Sequence, residues 1–140
     1  MVSGMAHICM NVNDLAASER FYCQGLGLEK RFRFLKNGKE VGFYVAVDDN
    51  TFIEFFQTQS RTSAKDQQSP FRHLCLQVDD IDRMTAHLRK HGIRVSDKTW
   101  GADGSYQAWI ADPDGVPIEF HEYTAQSSQR TGQDVNFDNE

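Results

Sequence analysis

His7-Ile8-Cys9-Met10-Asn11-Val12-Asn13-Asp14-Leu15 is echoed by His73-Leu74-Cys75-Leu76-Gln77-Val78-Asp79-Asp80-Ile81, at an offset of 73 − 7 = 66. A second pair follows in the same order: Phe52-Ile53-Glu54-Phe55-Phe56 is echoed by Pro117-Ile118-Glu119-Phe120-His121, at 119 − 54 = 65. Two motifs recurring at nearly one offset read as a duplicated module, and a repeat constrains the architecture before any single element does.

Working outward from the first motif, Ile8, Met10 and Val12 alternate with His7, Cys9 and Asn11, the period-two mark of a half-buried strand. In the second copy Leu74, Leu76 and Val78 take the buried face, and His73, Cys75 and Gln77 the other. Asp14 and Asp80 then stand where a carboxylate caps the first turn of a helix. Leu15, Ser18, Tyr22 and Leu26, with Phe21, trace an apolar stripe ending at Gly25 and Gly27; Ile81, Met84, Leu88 and His91 trace another, ending at Gly92.

The rest of each module reads as short strands joined by turn-prone segments such as Asn37-Gly38, Asp48-Asp49-Asn50, Asp103-Gly104 and Asp112-Pro113-Asp114-Gly115. The expected fold is therefore α+β, built from two β-α-β-β-β modules in one domain over about 1–124. Module 1 covers about 5–58, a polar linker about 59–70, and module 2 about 71–124; residues 125–140 read as a mobile tail.

The chain has 140 residues and a net charge of −5, with its lysines and arginines scattered. Nucleic-acid binding needs a basic stripe, so that class is set aside. No apolar run approaches the roughly 18 residues that cross a bilayer, and the N-terminal residues lack the pattern of an export signal. Three cysteines, Cys9, Cys23 and Cys75, cannot all pair within one chain, which fits reduced thiols in a cytoplasmic protein.

Within 51–57, alternation puts Glu54 on the face of Phe52 and Phe56. An unpaired carboxylate buried among aromatics costs several kcal/mol, so Glu54 should be solvated, hydrogen-bonded or coordinated, and Glu119 poses the same question. In each copy a strand-borne His precedes a strand-borne Glu, by 54 − 7 = 47 and 119 − 73 = 46 residues. Together they make a His2Glu2 set. Imidazole and carboxylate suit one divalent transition metal, Ni, Zn, Co, Mn or Fe, and the lack of a thiolate cluster argues against a structural zinc site. Four protein ligands leave a place for substrate oxygens when the metal takes five or six.

These residues resemble the vicinal oxygen chelate superfamily, the glyoxalase I, bleomycin resistance and dioxygenase fold, over about residues 5–123. The carriers are the 6–15 motif, Phe21-Tyr22 before Gly25-Leu26-Gly27-Leu28, Phe71-Arg72-His73, and Asp112-Pro113-Asp114-Gly115-Val116-Pro117-Ile118-Glu119. The resemblance implies a cupped mixed sheet around a metal held by His7, Glu54, His73 and Glu119. It also implies a homodimer, with the modules paired within a chain or exchanged between chains. The four-ligand set looks most like bacterial glyoxalase I. There the metal polarises adjacent substrate oxygens while a carboxylate, Glu119 or Glu54, moves a proton between carbons.

The expected function is thus a metal-dependent lyase or isomerase acting on a small hydroxycarbonyl compound. One departure stands out: Asn11 lies where the family typically places a glutathione-holding Arg, so glutathione is not counted on. A small polar or anionic substrate, steered by Arg33, Arg72 or Lys98, is the expectation. Cys9 and Cys75 should line the pocket with Asn11, Phe56, Tyr106 and Trp109, and His121, sharing parity with Glu119, should support it. The alternatives are a fosfomycin-type thiol transferase or extradiol-type dioxygenase, against which Glu54 counts, and a drug-sequestering binding protein, which generally lacks such ligands.

Overall fold

A computed structural model describes residue 1, residues 3–59 and residues 71–135, and divides the chain into two compact units, Met1–Lys65 and Asp66–Glu140. The expected linker, apart from residue 59, and tail residues 136–140 lie outside the described residues.

The first unit runs β1 (His7–Val12), α1 (Leu15–Glu19), a π-helical turn (Arg20–Gly25), β2 (Glu29–Lys36), β3 (Lys39–Ala46) and β4 (Phe52–Gln57). Its sheet has the order β1-β4-β3-β2, with β1 parallel to β4 and the other pairs antiparallel. Asp14 Oδ1 accepts from Ala17 N at 3.0 Å, which starts the helix as the sequence suggests. Tyr22 is fully buried, its ring 4.5 Å from that of Phe55, which in turn stacks on Phe43 at 4.7 Å. Burying each such aromatic contributes about 1.5–3 kcal/mol. The β2–β3 hairpin turns on Asn37 (φ 51°) and Gly38 (φ 74°), the left-handed pair that a two-residue loop between twisted strands requires. Strand β2 lies at an edge of the sheet and carries Glu29, Lys30, Arg31, Arg33 and Lys36 among its eight residues.

The second unit repeats this order with β5 (Leu74–Gln77), α2 (Ile81–Lys90), β6 (Thr99–Trp100), β7 (Tyr106–Ala111), β8 (Pro117–Glu122) and a short α3 (Ser128–Thr131). The sheet order β5-β8-β7-β6 is that of the first unit, again with its first strand in the chain, β5, parallel to its last, β8. Asp80 Oδ1 caps α2 through Arg83 N at 2.9 Å, and Ile81, Thr85 and Leu88 face the core. The two modules differ at their fourth strand: β6 is two residues long where β2 is eight.

The first part of the segment read as a mobile tail carries structure. Ser127 is fully buried, its hydroxyl 2.9 Å from Ser105 Oγ and 3.1 Å from the Gly104 carbonyl, and Gln129 Nε2 donates to Asp103 Oδ2 at 2.6 Å. Polar residues there satisfy one another, which composition alone reads as disorder. Among the described residues, no helix is long and apolar enough to cross a membrane.

Candidate functional site

In the first unit, Ile53 and Phe55 of β4 point into the core, leaving Phe52, Glu54 and Phe56 on the opposite face. The parallel register sets Cys9 beside Glu54, so His7, two residues earlier on the same face, lies diagonally against the carboxylate. His7 Nε2 is 3.7 Å from Glu54 Oε2. Strand β3 sets Tyr44 opposite Glu54, and the Tyr44 ring meets His7 edge-on with centroids 5.7 Å apart.

The second unit builds the same arrangement. Cys75 lies beside Glu119, His73 Nε2 is 3.2 Å from Glu119 Oε2, and Trp109, opposite Glu119, meets His73 edge-on at 5.0 Å. One residue breaks the symmetry. His121 Nε2 lies 2.9 Å from Glu119 Oε1, with its Nδ1 3.8 Å from Asp103 Oδ2, whereas the matching residue of the first unit is Phe56, packed on Phe34 at 4.7 Å. Glu119 is consequently held by two histidines and buried, while Glu54 has one and is half-buried.

These donors fit a divalent cation. Metal bonds to imidazole nitrogen and carboxylate oxygen run about 2.0–2.2 Å, which puts two neighbouring ligand atoms roughly 3.0–3.4 Å apart. The His73–Glu119 separation of 3.2 Å falls in that span and His7–Glu54, at 3.7 Å, is slightly wider. Among the described residues, the ion-pair partners of both glutamates are histidines, with no Lys or Arg to neutralise them. Cys75, Glu119 and His121 also bring their ligating atoms within 4.8 Å of one another. Burial pushes the Cys75 thiol up to about 12 and Cys9 up to about 11, with the neighbouring glutamate adding to each, so both are neutral thiols at pH 7. That suits lining residues.

Other expected site residues fall elsewhere. A register irregularity between Lys30 and Phe32 sets Arg33 opposite Phe43, the core side, where its Nη1 is 3.9 Å from Glu40 Oε2. Lys98 pairs with Asp82 of α2 and lies over the Tyr106 ring at 4.8 Å. Tyr106 itself shares parity with buried Ala108 and Ile110, away from Trp109, and packs on Trp100 at 4.9 Å. Arg72 is exposed immediately before His73, and Asn11 is exposed beside Phe56. Arg33 and Lys98 are thus engaged by Glu40 and Asp82, and Tyr106 lies on the face of β7 opposite Trp109.

Six contributors escaped the sequence reading. Tyr44 is one, although the aromatic ten residues before each glutamate, 54 − 44 = 10 and 119 − 109 = 10, was a usable signal. The others are Arg31, Phe32, Phe34, Asp49 and Phe52, which with Tyr44, His7 and Glu54 surround an open pocket of about 790 Å³ in the first unit.

The sequence model of the Glyoxalase/Bleomycin resistance protein/Dioxygenase superfamily matches residues 4–120. The uncharacterised protein YaeR of Escherichia coli (strain K12) is 30% identical over 122 residues, covering 83% of this chain and 93% of its own. Lactoylglutathione lyase of Schizosaccharomyces pombe is 31% identical over 119 residues, 81% of this chain but 38% of that longer protein. Among solved structures, a glyoxalase family protein from Enterococcus faecalis superposes with a TM-score of 0.74 at 24% identity, over 85% of this chain and 97% of its own.

Proposed function

This chain belongs to the Glyoxalase/Bleomycin resistance protein/Dioxygenase superfamily, and on that premise we propose that it is a metal-dependent lyase or isomerase acting on a small hydroxycarbonyl compound, with His7, Glu54, His73 and Glu119 as ligands of one divalent transition metal. The observation that carries the reading is the His–Glu pair built twice, each with an aromatic ring against its histidine. The name of the Schizosaccharomyces pombe relative supports the reaction type, while Asn11 gives glutathione no cationic partner.

A divalent ion, if held by His7, Glu54, His73 and Glu119, would supply Lewis-acid polarisation of adjacent substrate oxygens and so acidify the neighbouring C–H. The chain's own residues then divide the work. Tyr44 and Trp109 hold the imidazoles in orientation, and His121 holds Glu119 in place. Glu54, with Phe56 where the other module has His121, is the freer carboxylate. In this reading it takes the proton from one carbon and returns it to the next. Reduced cysteines fit a cytoplasmic setting, and the family premise brings the expectation of a homodimer.

Metal content measured by inductively coupled plasma mass spectrometry tests the proposal. About one transition metal per chain in the wild type, lost in His7→Ala, is the expected result. No metal in the wild type after reconstitution would overturn it and leave a small-molecule binding module.

A further inference from the structure

We propose that the substrate carries a planar aromatic ring next to its chelating oxygens, seated on the aromatic wall beside His7 and Glu54; this rests on the metal-dependent reading above. All four apolar residues that line the pocket are aromatic: Phe32, Phe34, Tyr44 and Phe52, with no Leu, Ile, Val or Met among them. Their rings are already arranged against one another, Phe32 stacked on Tyr44 at 4.5 Å and 15°, and Tyr44 tilted on Phe52 at 5.3 Å. Phe32 is 47% exposed, so ring surface remains open for a further partner. Aromatic faces and edges favour another ring over an aliphatic chain because their quadrupoles reward offset-stacked and edge-on geometry.

The charges around the pocket point the same way. Arg31 and Asp49 bring one positive and one negative group, and Arg31 Nη1 already lies 3.4 Å from Glu29 Oε1. With Glu54 also in the lining, no surplus of positive charge is left to select an anion. The His–Glu pair is the polar feature a ligand's oxygens would meet through the metal, and the ring beside those oxygens meets the wall. The size also fits: a cavity of about 790 Å³ is in the range of small-ligand pockets and exceeds the need of a three-carbon compound.

Benzohydroxamate and acetohydroxamate test this, since both chelate divalent metals through adjacent oxygens and differ by a phenyl ring. Calorimetric titration of the nickel-loaded protein should show benzohydroxamate binding at least tenfold tighter, with the preference falling to about twofold in Phe32→Ala and in Phe34→Ala while acetohydroxamate affinity holds. Equal affinities in the wild type would overturn the aryl assignment and leave the metal reading standing. A preference that survives both variants would place the ring elsewhere and overturn it too. Equal affinities together with conversion of Phe32→Ala from dimer to monomer would assign the wall to a second copy of the chain. Failure of both hydroxamates to bind better with nickel than without would bring down the metal reading. In that case benzohydroxamate binding that Phe32→Ala abolishes would keep the aromatic site, and its absence would end both.

Discussion

His121 Nε2 stands 2.9 Å from Glu119 Oε1, and this bond makes the two halves of a duplicated chain unequal. The other oxygen of Glu119 faces His73, so each oxygen of one carboxylate has its own imidazole. Beside Glu54 the same place in the repeat is a phenyl ring, which cannot donate.

Replacing His121 by Phe, the residue the first module uses, should therefore weaken metal retention roughly tenfold to a hundredfold, the usual effect of removing a group that holds a ligand from behind. Competition with a chromogenic chelator would read this. His121→Gln, which keeps a donor, should recover much of the loss; equal losses in both would point to packing instead.

The two glutamates should separate when neutralised. Glu119→Gln is expected to lose most of its metal, whereas Glu54→Gln keeps the larger part and slows proton exchange by roughly a hundredfold or more. Proton NMR of a hydroxycarbonyl substrate in deuterated water follows exchange, and circular dichroism checks the fold. If Glu54→Gln exchanges at the wild-type rate, the base lies elsewhere.

Strand β4 offers a control in stability. Phe55 is fully buried between Tyr22 and Phe43, and its truncation to Ala should cost roughly 3–5 kcal/mol. Phe56, half-buried on the opposite face, should cost about 1 kcal/mol. Urea unfolding of the two variants measures the contrast.

Asp103 ties the C-terminal segment to the loop behind His121. Burial would raise its carboxyl, but the bond from Gln129, the Ser105 amide, the nearby His121 ring and the Ser105 hydroxyl together hold it below the ordinary aspartate value. A depressed folded value stabilises the protein above the unfolded pKa and loses that contribution as pH falls through the folded one. The stability gap between wild type and Asp103→Asn should be constant near neutrality and close below about pH 4. A gap that persists in acid would show the carboxylate charge to be irrelevant.

Much of this was legible in the sequence because alternation and repetition report the same thing. The parity of Ile53, Glu54 and Phe55, the capping by Asp14 and Asp80, and the Asn37-Gly38 turn all depend on near neighbours in the chain. What escaped depends on partners. A register irregularity in β2 sets Arg33 opposite Phe43 while Arg31 lines the pocket, and such irregularities leave no mark in a hydropathy pattern. Asp82 captured Lys98 from sixteen residues away, and Tyr44 finds Glu54 only once β3 pairs with β4. In the segment after Tyr123, hydroxyl and amide side chains do the work that apolar residues do in a core.

The charged edge strand bears on how the chain behaves when crowded. Strand β2 presents Phe32 and Leu35 to solvent, about half exposed each, and stands at the edge of its four-stranded sheet, where an edge strand is a template for a neighbouring one. Four of its eight side chains are cationic and one is anionic, so a second copy adding there would bring like charges together. The equivalent edge of the other module is protected by brevity, since two residues offer little to pair with. Duplication has thus left two different safeguards against fibrous self-association, one electrostatic and weakened by salt, the other geometric and indifferent to it.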